Sequence, residues 1–233
     1  MNTTSASRAE EHVLVWDAPV RVFHWLMVLC FAGAWISAES ERWRLLHATL
    51  GYTVAGLVAF RIVWGLVGTK HARFASFVRA PGAALRYLGS LVRGAPEHHV
   101  GHNPAGALAI VALLGVAAVV VASGWAAYND VFKDVFEELH EGAAEALMAL
   151  VLLHVAAVVV SGWLHRENLV RAMFTGRKPG TPADAVKRAW RSVAVLMVAA
   201  VIGFWASQWQ AAPNAVFAGG ERSVPSAHAR PAR

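Results

Sequence analysis

Residues 139–163, LHEGAAEALMALVLLHVAAVVVSGW, form one apolar stretch carrying two histidines, His140 and His154, fourteen positions apart. Fourteen residues of α-helix rise about 21 Å, and fourteen steps of about 100° leave the two side chains only about 40° out of line. Both imidazoles therefore look to one side of a helix, at two depths. The stretch is long enough to span a bilayer, where an ionisable side chain is costly and is usually functional. Leu152, Leu153, Val155 and Ala156 around His154 provide no polar partner.

The rest of the chain agrees with a membrane reading. Of its 233 residues, 57% are apolar and 10 are Trp, and the mean hydropathy is +0.44. That is too apolar for an ordinary soluble domain. Five runs are long enough to span, near residues 20–38, 45–67, 105–127, 142–164 and 189–209. The first nineteen residues, ending in WDAP, lack a signal-peptide pattern, so the first run is expected to be retained as a helix. The expected division is a cytoplasmic N-terminal segment 1–19, a transmembrane domain 20–210 and a disordered periplasmic tail 211–233. Arg21, Lys70, Arg73, Arg79, Arg86, Arg93, Arg166, Arg171, Arg177 and Lys178 flank the spans on one side. Only Arg42, Arg44, Lys133 and three tail arginines lie on the other. The positive-inside rule then puts the N-terminus in the cytoplasm and the C-terminus outside. The basic residues punctuate spans instead of forming a patch, which argues against nucleic-acid binding. Between the second and third spans, FASFVRAPGAALRYLGSLVRG reads as an amphipathic piece at the headgroups, broken at Pro81. YNDVFKDVFEEL, before the fourth span, reads as an acidic outer loop.

Two stacked imidazole sites suggest two haem irons, because an electron-transfer haem commonly takes two protein ligands and neutral imidazole serves as one. Each helix-four histidine then needs an opposite number at its own depth. His24, near the inner end of the first span, matches His154, and His47, at the outer end of the second, matches His140. The single cysteine, Cys30, gives neither an intrachain disulfide nor a Cys-based cluster, and no c-type attachment sequence occurs. Any haem is therefore expected to be b-type and non-covalent, held by His24, His47, His140 and His154. His12, His71, His98, His99, His102, His165 and His228 read as solvated or headgroup-facing, His102 in GHNP being the one among them to watch.

Arg21 and Arg61, near the inner ends of the first two spans, are candidates for pairing with haem propionates; Arg21 also suits headgroup snorkelling. Gly51, Gly56, Gly115, Gly124 and Gly162 either admit a flat porphyrin to the backbone or serve small-residue helix packing. Two other functions compete with electron transfer. One is an ion- or proton-conducting transporter using His154, Arg61 and Glu145, although the inverted repeats common in transporters are not evident. The other is a cofactor-free membrane anchor for a redox enzyme.

Several blocks, in order, carry a family resemblance: VWDAPVRVFHW, HATLGY, FRIVWGLVGTKHARFASF, GHNPAGA, the LHE…LH pair and SGWLHRENLVRAMFTGRKP. Over about residues 13–180 they resemble the bacterial cytochrome b561 and nickel–iron hydrogenase cytochrome b family. The resemblance implies an all-α integral membrane bundle with a four-helix core holding two b-type haems through four histidines. On this chain those are the four already chosen, and a fifth, C-terminal transmembrane helix lies outside that core. It further implies a bacterial inner-membrane subunit of an oxidoreductase, passing electrons between a periplasmic redox protein and the quinone pool. Hydrogenase, cytochrome c and reductase remain open as that partner, and quinone is a candidate second cofactor.

Overall fold

Asp17 and Pro19 start the first long helix. The Asp17 side chain accepts from the Val20 N–H at 2.8 Å, and Pro19 sits in the first turn, where its missing N–H is not needed. Asn103 and Pro104 repeat the device on the third span, with Gly106 N–H donating to Asn103 Oδ1 at 2.7 Å. The computed structural model describes residues 11–78, 81–93 and 100–211. Its elements are β1 (Glu11–Leu14), α1 (Ala18–Ser37), α2 (Arg44–Val67), α3 (Phe74–Phe77), α4 (Pro81–Val92), α5 (Pro104–Tyr128), α6 (Lys133–Leu164), α7 (Leu169–Thr175), β2 (Arg177–Gly180) and α8 (Arg191–Ala211). Helices α1, α2, α5, α6 and α8 are each long and apolar enough to cross a membrane. The protein is thus an integral membrane helical bundle.

Four of the five spans begin and end within a few residues of the sequence expectation. The fourth does not. The stretch read as an outer loop is mostly helix, since α6 starts at Lys133 and the true connection is residues 129–132. Asp134 in the first turn complements the positive end of the helix dipole, and Lys, Glu and Leu are good helix formers. At 32 residues, α6 is about 48 Å long against a hydrocarbon core of about 30 Å. Its acidic first turns therefore project beyond the apolar layer. The tail expected from residue 211 lies outside the described residues from 212 onward. The break expected at Pro81 corresponds to the start of α4, which follows the single turn α3.

α5 and α6 pack along each other as a hairpin, while α1 packs on α2 and α8, and α2 reaches α5. The shared core joins Phe23 and Cys30 of α1, Leu50, Val54, Leu57 and Val58 of α2, Ala117 of α5, Leu147 of α6 and Met197 of α8. Trp205 of α8 also donates its indole N–H to Thr53 of α2 at 2.9 Å. Among the described residues Leu147 is the sole buried residue of α6, and close backbone approach between α6 and either α1 or α2 is sparse. α6 therefore meets α1 and α2 through side chains, Leu147 in the shared core and His140 against His47.

The inner ends of the helices meet a polar layer. Glu11–Leu14 pairs antiparallel with Arg177–Gly180, Leu14 opposite Arg177; no strand was expected in either segment. Gly176 makes this possible. Its φ of +77° ends α7, and its carbonyl accepts from Val15 and Trp16. A side chain there would meet the Trp16 carbonyl at 2.5 Å. Beneath the sheet Asp17, 1% exposed, accepts from Trp64 Nε1 at 3.0 Å and the Thr69 hydroxyl at 2.7 Å. One carboxylate thus caps α1 and ties it to α2 and the chain beyond.

Replacing Asp17 removes a cap and strands two buried donors, a loss of about 3–5 kcal/mol. Asp17→Ala is expected to lower the thermal unfolding midpoint in detergent clearly, and Thr69→Ala to lower it by a smaller amount. An unchanged midpoint for Asp17→Ala would show that this carboxylate does not hold the inner layer together.

Candidate functional site

His47 projects from the first turns of α2 and His140 from the third turn of α6. Their ring centroids are 6.1 Å apart and their planes 83° to one another. His47 Nδ1 lies 2.9 Å from the Ala34 carbonyl of α1, and His140 Nδ1 lies 2.8 Å from the Val120 carbonyl of α5. A carbonyl only accepts, so each Nδ1 carries the proton and donates it, leaving each Nε2 with its lone pair. This is the arrangement of metal-ligating histidines, in which a partner on the far nitrogen fixes tautomer and ring orientation. With Nδ1 so engaged, Nε2 of each ring is the atom that would ligate a metal held between the two rings. Space for the His140 ring comes from Gly124, one turn beyond Val120 on α5. A Cβ at Gly124 would stand 2.7 Å from His140 Cε1.

Nearer the inner end, His24 of α1 and His154 of α6 are electrostatic neighbours. His24 lies edge-on to Trp25, with centroids 5.2 Å apart. Its Nδ1 is buried and has no hydrogen-bond partner. A buried nitrogen left unsatisfied beside a second imidazole is what a ligand-binding site looks like without its ligand. A Cβ added at Gly51, Gly56 or Gly115 would meet nothing within 4 Å, so these glycines do not serve tight helix packing. Gly162 differs, since a Cβ there would come 3.0 Å from the Glu167 carbonyl. The donor set, imidazoles of α6 opposite those of α1 and α2, fits a haem held through histidine nitrogens from two sides.

The two arginines are already engaged in the inner layer. Arg21 donates to the backbone carbonyls of Asp17 and Phe174. Arg61 is 3% exposed, donates to the Ala72 carbonyl at 3.1 Å and lies over the Phe74 ring at 4.8 Å. Glu145 is exposed on α6, far in environment from the enclosed Arg61.

His102, read with the other loop histidines as solvated or headgroup-facing, is instead buried. It is wedged between Trp16 and Phe77, centroids 4.5 and 4.4 Å away, and its Nδ1 is buried without a partner. Burial pushes its pKa down to about 3, helped by the positive charge of Arg61, by His71 and by Lys178, so it stays neutral. His71, read as solvated, instead donates through Nε2 to the Asp184 carbonyl at 2.8 Å. His98, His99 and His228 lie outside the described residues. The sequence signals for this layer were WDAP and GHNP. Each looks like a helix start and is one, but each also supplies a buried side chain to the same cluster.

Five apolar spans, with the His47 ring against the His140 ring and His24 near His154, suit a membrane-bound cytochrome. The chain belongs to the prokaryotic cytochrome b561 family, which it matches over residues 15–176. It is similar to the probable Ni/Fe-hydrogenase B-type cytochrome subunit of Rhodobacter capsulatus, 26% identical over 220 residues, covering 73% of this chain and 83% of that one. The protein of the same description from Azotobacter vinelandii is 26% identical over 216 residues, covering 72% and 89%. The probable Ni/Fe-hydrogenase 1 B-type cytochrome subunit of Escherichia coli K12 is 27% identical over 142 residues, covering 50% and 60%. No solved structure matches. The protein is therefore a multi-pass membrane cytochrome of the haem b type, with α8 beyond the matched region.

A side chain at position 124 has to displace His140. Gly124→Val is expected to lower the haem content of the purified protein and to shift the absorption band of the haem that remains. Full haem content with an unchanged spectrum would mean that this ring position is immaterial to the cofactor.

Proposed function

We propose that the chain holds two haem b groups non-covalently, each between two histidines: His47 with His140 toward the outside and His24 with His154 toward the cytoplasm. The haem supplies one-electron chemistry, Fe(III) to Fe(II) and back; the protein sets its position, potential and access. The observation that carries the proposal is the His47–His140 pair. Two rings 6.1 Å apart, each with Nδ1 bonded to a backbone carbonyl, keep both Nε2 lone pairs available to a metal. An ion pathway would not require both rings to be pinned in this way.

In this reading the function is electron transfer across the bacterial inner membrane, between a periplasmic redox protein and the quinone pool. The names of the relatives favour a hydrogenase as that partner. The N-terminus lies in the cytoplasm and residues beyond α8 in the periplasm, following the distribution of Lys and Arg. Asp134, Glu137, Glu138 and Glu141 project with the first turns of α6 beside His140, giving the partner an acidic surface to find by charge. A guanidinium has five donors. Arg61 donates to one carbonyl and Arg21 to two, so both retain N–H groups for a haem propionate.

Haem analysis tests the assignment. The purified protein is expected to contain two b-type haems per chain. His24→Ala and His154→Ala are expected to remove the same haem, and His47→Ala and His140→Ala the other. His98→Ala is expected to leave both. One haem per chain, or loss of haem from His98→Ala, would overturn the pairing.

A further inference from the structure

Where α6 ends at the membrane surface, the chain forms a cleft of about 370 Å³ lined by Val158, Val159, Gly162, Leu169 and Val170 together with Arg166, Glu167 and Asn168. Its floor is apolar and faces the bilayer; Trp163 beside it is 79% exposed, as befits a ring at the headgroup level. Its rim carries both signs of charge. Glu167 Oε2 pairs with the buried Lys178 ammonium at 3.3 Å, but Oε1 is buried with no hydrogen-bond partner. An unsatisfied buried carboxylate oxygen is costly and calls for a donor from outside the chain. Arg166 contributes the opposite charge from an unusual backbone position. Its φ is +53°, at the end of α6 where a helix normally places glycine. Glycine would be favoured there by the backbone alone, so the guanidinium is retained at a conformational cost. Asn168 is already engaged, accepting from Arg171 N–H to cap α7.

We propose that this cleft binds one phospholipid whose headgroup carries both a phosphate and a primary ammonium, of the phosphatidylethanolamine type. Arg166 pairs with the phosphate, and the ammonium donates to Glu167 Oε1. The acyl chains lie against Val158, Val159 and Val170. A phosphatidylglycerol headgroup has no ammonium for Glu167. A phosphatidylcholine headgroup has no N–H to donate. The site is distinct from the histidine pairs, and the proposal does not depend on how many haems they hold.

The test is native mass spectrometry of the haem-loaded full chain, delipidated in detergent and titrated with single lipids. The wild type is expected to bind phosphatidylethanolamine at least about tenfold more tightly than phosphatidylcholine or phosphatidylglycerol, as one charge-assisted hydrogen bond requires. Glycerophosphoethanolamine, the same headgroup without chains, is expected to bind at least about tenfold more weakly than the lipid, because the apolar contacts are missing. Arg166→Gly relieves the backbone and removes the guanidinium. It is expected to weaken binding of all three phospholipids at least about tenfold, since each carries the phosphate, while the thermal midpoint without lipid stays the same or rises. Glu167→Gln is expected to remove the preference for phosphatidylethanolamine over phosphatidylcholine; should that variant lose its haem, Arg166→Gly still decides. Equal binding of the three lipids by the wild type, or wild-type affinity for phosphatidylethanolamine in Arg166→Gly, would overturn the proposal.

Discussion

An imidazole enclosed among apolar helices has two nitrogens to satisfy, and the bundle is arranged around that requirement. α6 carries two such rings and packs chiefly on α5, while α1 and α2 lie across from its histidines. The ring nitrogens are handled differently at the two levels. At the outer level α1 and α5 provide carbonyls for Nδ1, at Ala34 and Val120. At the inner level His24 Nδ1 has no such partner. The outer rings are consequently fixed in orientation by the protein, whereas a group bound at the inner level would have to orient its own rings. That asymmetry is a way for one chain to give two similar sites different electronic properties.

The inner end has a second organising group in Asp17. Its carboxylate caps α1, holds Trp64 of α2 and binds Thr69, while the neighbouring strand pair closes over it. His102, Trp16, Phe77 and Arg61 complete the layer. The outer end is simpler: a short connection between α5 and α6 and the projecting acidic turns of α6. The two membrane faces are thus built unequally, with the elaborate one on the side rich in Lys and Arg.

Much of this was readable from the sequence because the membrane simplifies the code. Apolar length locates the spans, and helical phase brings His140 and His154 to one face. Depth alone paired His47 with His140, whose rings lie 6.1 Å apart. What escaped depended on other rules. The first turns of α6 look like a loop to a hydropathy reading, because Asp134, Glu137 and Glu138 interrupt the apolar run; charges end a span but not a helix. The β1–β2 pair joins segments more than 160 residues apart, and nothing local in Arg177–Gly180, with Pro179 in it, announces a strand. Arg61 was read as a candidate for a haem propionate; its hydrogen bond to the Ala72 carbonyl and its place over the Phe74 ring depend on how the chain returns after α2. The positions fixed by periodicity were legible; those fixed by long-range closure were not.

The central claim is that two imidazoles coordinate iron at each of two levels, and the electron paramagnetic resonance spectrum of the fully oxidised protein addresses it most directly. The account predicts low-spin ferric signals from two sites and no stoichiometric high-spin iron. The outer site should give the strongly anisotropic form that near-perpendicular axial rings produce, given planes 83° apart at His47 and His140. A stoichiometric high-spin ferric signal, or low-spin iron at one site alone, would contradict it.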